Sequence, residues 1–188
     1  MVTAQLPPQL IDGLLERWSE PHRAYHSTTH LVAGLQALDI LGGQPLERIA
    51  FWFHDAVHTN TTPADEEASA RLAGELLATH LPALDVLEVQ RLIMLTTHHQ
   101  PDPEDLPGAR LCDADLSGMG SEWDQYVDNI AGLRAEFPQL TTDQWAVGRS
   151  RFLVRFMQRD WLFSTWQGRH LWEDQARSNM IRELACLN

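Results

Sequence analysis

Apolar residues recur along this chain at intervals of three and four, a pattern that predicts helix almost throughout. Leu10, Ile11, Leu14, Leu15 and Trp18 share one face of a first helix that begins after Pro7-Pro8 and is ended by Pro21. Ser27 or Thr28 can cap a second, which runs through Leu31, Leu35 and Leu38 to Gly42-Gly43. Pro45 opens a third, LERIAFWFHDAVH, so apolar before His54 that it must be buried. A fourth starts at Thr61-Thr62-Pro63, with acids in its first turn, and reaches about Thr79. Pro82 opens a fifth that ends near His98-His99. The stretch QPDPEDLPGAR reads as loop, and DADLSGMG as the start of another helical region. Three more helical stretches are predicted over residues 121–136, 142–160 and 168–186, with Thr141 or Thr142 capping the second of them. The expected fold is all-α: one bundle-like domain over residues 1–188, with about seven to nine helices.

Composition narrows the function. A length of 188 residues suits one domain with a sizeable core. The net charge of −12 argues against binding a nucleic-acid backbone, which needs a basic footprint. A small phosphate ester stays open, because a metal and one or two arginines can reverse the local field. All 14 basic side chains are Arg. Schiff-base and P-loop lysine mechanisms are therefore excluded. Cys112 and Cys186 are too few and too far apart for a disulfide scaffold or a thiolate zinc site. The N-terminus lacks the basic start and apolar run of a signal peptide, and no apolar stretch approaches the roughly 20 residues that span a bilayer. The expectation is a cytoplasmic protein with no membrane partner; a homodimer is allowed.

Three segments carry candidate chemistry: YHSTTH (Tyr25–His30), FHDAVH (Phe53–His58) and DADL (Asp113–Leu116). A His and an Asp side by side at the end of an apolar helix need partners, since an unpaired buried polar group costs about 2–7 kcal/mol and a charge more. A metal satisfies Asp55 directly; a salt bridge to an arginine does so equally on this motif alone. Adding His30 and Asp115 tips the balance. Two imidazoles and two carboxylates suit Mn²⁺, Fe²⁺, Co²⁺, Ni²⁺ or Mg²⁺, with one ion expected and two allowed.

The order H…HD…D in these contexts resembles the HD-domain superfamily of metal-dependent phosphohydrolases. It is most similar to a bacterial branch with a YHxxxH start, an FHD helix, a TxxH segment and DADL followed by Gly. The resemblance covers nearly the whole chain. It implies that His30, His54, Asp55 and Asp115 hold the metal. One departure stands out: three residues after Asp55 comes His58, where some nucleotidases of the superfamily carry a glutamate that acts on the water and this branch often carries tyrosine. His58, at i+4 from His54, can face the same site. Two-metal members use extra histidines between the HD pair and the last aspartate. His99, and after it His98, are candidates, unless they merely pair with a helix C-terminus. Glu66 can support a ligand histidine or simply belong to an acid-rich first turn.

The implied reaction is hydrolysis of a phosphate ester, from a nucleotide or a related small phosphorylated metabolite. Asp55, His58 and Asp113 are the candidates for proton handling. Arg23 is the first candidate for a phosphate clamp, with Arg149 and Arg177 weaker, and His26 is expected to line the substrate pocket. Trp18 and Trp52 lie near the motifs and are candidates to touch a base. Two rival readings remain: a di-iron oxygenase of the same superfamily, which needs both His98 and His99 as ligands, and a nucleotide-sensing module without catalysis.

Overall fold

The computed structural model describes residues 6–187, so both ends of the expected 1–188 unit, and the start of the N-terminal segment read above for a signal peptide, lie outside the described residues. Among the described residues there are nine α-helices and no strand: α1 Pro8–Trp18, α2 Thr28–Leu41, α3 Pro45–Phe53, α4 Ala64–Leu77, α5 Ala83–Leu95, α6 Leu106–Leu116, α7 Trp123–Ala135, α8 Thr142–Met157 and α9 Trp166–Leu187. A single 3₁₀ turn, Ser117–Gly120, follows α6. None of these helices is long and apolar enough to cross a membrane.

Local chemistry sets the boundaries. Ser27 Oγ accepts from the Thr29 amide at the head of α2, and Gly42, with φ of 75°, closes it. Gln44 and Glu47 form a capping box at α3. Two expectations need correction. The third helix stops at Phe53 rather than reaching His58. Side chains from outside the helix take carbonyls at and just beyond its end: Trp18 Nε1 donates to Trp52 O at 3.0 Å and Arg23 Nη1 to Asp55 O at 2.7 Å. The second correction concerns the Pro-rich loop. Asp105 accepts from the Gly108 amide, Pro107 sits in the first turn, and α6 starts inside that segment. Asp115 therefore ends a helix instead of beginning one.

Two apolar clusters make up the core. The first, with Trp18, Leu38, Phe51, Phe53, Leu92 and Leu111, packs α1 to α6 together. The second joins Leu116 to Leu153, Phe156 and Met180 of α8 and α9, and Trp172 touches both. Gly34 lets α2 approach α3: a Cβ there would run into the Phe51 ring. That ring lies 4.5 Å from His54 and 5.8 Å from His30, centroid to centroid, so the close approach is what sets His30 beside the HD pair.

Candidate metal centre

His30 enters from the first turn of α2, His54 and Asp55 from the turn that follows α3, and Asp115 from the last turn of α6. Asp115 Oδ1 lies 3.0 Å from His30 Nε2 and 3.4 Å from His54 Nε2; Asp55 Oδ2 lies 3.1 Å from His54 Nε2. The distances are short, yet both imidazole nitrogens are buried without an aligned hydrogen bond. His54 Nδ1 is 2.8 Å from the Phe51 carbonyl, which fixes a proton on Nδ1 and leaves Nε2 facing the carboxylates. The chain thus holds buried His and Asp donors aimed at one point, a set that fits a metal ion.

Electrostatics agree with that geometry. Burial works against charging His54, but Asp55 and Asp115 outweigh it and hold the imidazole well above its ordinary pKa. Burial likewise opposes ionising Asp55; His54 and His26 overcome it and keep the carboxyl below its usual range. Asp115 is held down in the same way, by His54, His30 and His99. The two carboxylates draw positive charge into a nearly dry place, as a cation would require.

Asp55 and Asp115 of this cluster line a cleft of about 670 Å³; His30 and His54 are not among its lining residues. Arg149, Arg151, Arg155 and Arg159 line it as well, Arg159 donating to the carbonyls of His98 and His99, and so do the apolar rings of Phe137, Trp145 and Phe152. His99 reaches the centre, its Nε2 2.7 Å from Asp115 Oδ2, while His98 stays at the exposed rim with Nδ1 accepting from the Gln100 amide. Glu66 lines the cleft and keeps one buried carboxylate oxygen without a partner. His26 and His58 line it too, both directed at Glu136.

Other expected site residues lie elsewhere. Arg23 is not in the cleft: its buried guanidinium is spent on Glu20 and on the carbonyls of His26, Asp55 and Ala56. Asp113 faces away from Asp115, as residues two apart on a helix must. Its carboxylate accepts from Ser164 N, Thr165 N and Thr165 Oγ1, each at 2.7 Å, and anchors the approach to α9. Arg149 does line the cleft but is already paired with Glu183 at 2.7 Å. Arg177 is bound to Glu173 and to carbonyls at the end of α8. Trp18 is fully buried against His30 and His54, and Trp52 packs into the core; the cleft's tryptophan is Trp145.

Sequence reasoning missed Glu136 and, Arg149 apart, the cleft arginines Arg151, Arg155 and Arg159. Glu136 left a signal: an acid at a helix C-terminus opposes the helix dipole and needs another reason to be there. Its Oε1 accepts from three consecutive amides, Ala24, Tyr25 and His26, at 2.8, 2.7 and 2.8 Å.

Fold and site together define an all-helical protein with a buried His/Asp cluster able to hold a metal. No protein-family model, no curated protein and no solved structure matches the chain.

Proposed function

We propose that this protein is a metal-dependent phosphohydrolase acting on a small phosphorylated compound such as a nucleotide. The observation that carries the reading is the convergence of His30, His54 and Asp115, with unpaired imidazole nitrogens, beside a cleft that Asp55, Asp115 and four arginines line. The motif order, which resembles the HD superfamily, supports it as well. His30, His54, Asp55 and Asp115 hold the ion, and Mn²⁺, Fe²⁺, Co²⁺, Ni²⁺ and Mg²⁺ all suit that donor set. A bound ion lowers the pKa of a water and neutralises charge on phosphoryl oxygens. Asp55 accepts a hydrogen bond from the attacking water. Arg155 offers a planar guanidinium to the phosphate, and Arg149 adds charge beside it. The apolar rings of Trp145 and Phe152 receive the rest of the substrate. The oxygenase reading needs both His98 and His99 at the centre, and only His99 reaches it.

The test is a phosphate-ester panel spanning nucleoside monophosphates, dinucleotides, cyclic nucleotides and sugar phosphates. Metal-stripped wild type and Asp55→Ala are each assayed after reloading with each ion. Hydrolysis of at least one ester by wild type only is expected. Metal-loaded wild type that hydrolyses none of them would overturn the reading in favour of a sensing module.

A further inference from the structure

We infer that the cleft contains a second cation site, formed by His26, His58 and Glu136, which takes a transition-metal ion of the zinc class. The inference rests on reading the cleft as a metal centre, but its ligands share no residue with the first set. They come from three distant places: the turn before α2, the segment after α3 and the end of α7. One ligand atom from each lies within 4.8 Å of the other two.

Glu136 is set up for this role. Its carboxylate is buried, and the three backbone amides fix Oε1. That leaves Oε2 as the working oxygen. Two imidazoles face it: His26 Nδ1 at 2.7 Å and His58 Nε2 at 3.4 Å. Their rings stand 4.1 Å apart. One oxygen serves His26 well and His58 poorly, although His58 is only 8% exposed and needs a partner. A cation bound by all three satisfies both rings at once. Two histidines and a glutamate, with an open side, are the donor set of catalytic zinc sites. The open side here is the cleft, since His26 and His58 line it next to Asp55. This set differs from the His98 and His99 pair expected for a second ion.

The test is zinc stoichiometry of the full chain, stripped with chelator, reloaded and measured by elemental analysis. Circular dichroism monitors folding throughout. Wild type is expected to hold two equivalents. His58→Phe and His26→Asn should each lose one equivalent, or bind it at least ten-fold more weakly. His54→Ala should lose the other equivalent and keep this one. A probe of the wild-type protein accompanies the variants: zinc should protect His26 from acylation by diethyl pyrocarbonate, read by peptide mass spectrometry. One equivalent that survives both His58→Phe and His26→Asn but vanishes in His54→Ala overturns the second site and leaves the first intact. An unprotected His26 in zinc-saturated protein overturns it too. Wild type that takes up no zinc overturns both sites for this ion, and reloading with Mn²⁺ then decides whether the first reading stands.

Discussion

Buried carboxylates occur in two settings in this molecule, and the contrast separates architecture from function. Around α9, Asp113 of α6 and Glu173 and Glu183 of α9 itself have donors for their oxygens. Glu173 takes the Leu162 and Phe163 amides and Arg177, while Glu183 takes Arg149 and the Tyr126 hydroxyl. At the cleft, Asp55 and Asp115 face His54 Nε2, which has no aligned hydrogen bond, although Asp115 Oδ2 also pairs with His99 Nε2 at 2.7 Å. The first kind of group is complete within the chain. The second leaves imidazole nitrogens over, and could hold a metal ion.

Substitutions can break that contrast, and the largest effect belongs to the cleft. Asp55→Asn should lower phosphate-ester turnover about 1,000-fold, roughly 4 kcal/mol, while changing unfolding free energy by less than about 1 kcal/mol. Steady-state kinetics paired with denaturant melts reads both. Asp113→Ala should do the reverse. It strands two amides beneath α9 and should cost about 3 kcal/mol of stability with metal content unchanged. Equal loss of metal in both variants would erase the distinction drawn between them.

Gly34→Ala sharpens the account of how the site is assembled. The added methyl meets Phe51, and overpacking there should cost about 1–3 kcal/mol. Because it parts α2 from α3, metal affinity should weaken as well. Titration calorimetry beside thermal melts checks both effects.

The smallest effect concerns pH. Burial would raise the Asp65 carboxyl, but hydrogen bonds from Thr61 and Thr59 hold it below its ordinary value of 3.8. Such a group stabilises the fold fully above its unfolded pKa, and the contribution disappears as pH falls through the folded one. Asp65→Asn should therefore cost about 1 kcal/mol at pH 7 and progressively less below pH 4. Urea melts at both pH values provide the check, and an equal cost at the two would count against this role for Asp65.

The residues of the central cluster were legible because their signals are local. An apolar helix that ends in His-Asp advertises a buried polar pair, and His30 and Asp115 stand in equally marked motifs. What could not be read was direction and partnership over distance. Nothing near Arg23 says that its guanidinium will seal the carbonyls after α3 rather than meet a substrate. Asp113 and Asp115 look equivalent in sequence; the segment around Ser164 and Thr165 tells them apart. Glu136 joins His58 and His26, which lie 78 and 110 residues away in the chain, and only its unfavourable place at a helix end marked it. The helical pattern predicted seven to nine helices and missed the true start of α6, where capping by Asp105 outweighs the prolines.

The most direct test of the central claim is the heat stability of chelator-stripped protein as divalent metal is added, for wild type and Asp115→Asn side by side. Metal at 100 times its Kd stabilises by about 2.7 kcal/mol, which for a chain of this size raises Tm by roughly 5–10 °C. The account predicts that rise in wild type and a clearly smaller one in Asp115→Asn, which keeps the His26, His58 and Glu136 set. A wild-type melting temperature indifferent to every divalent ion, or an equal rise in the variant, would contradict it.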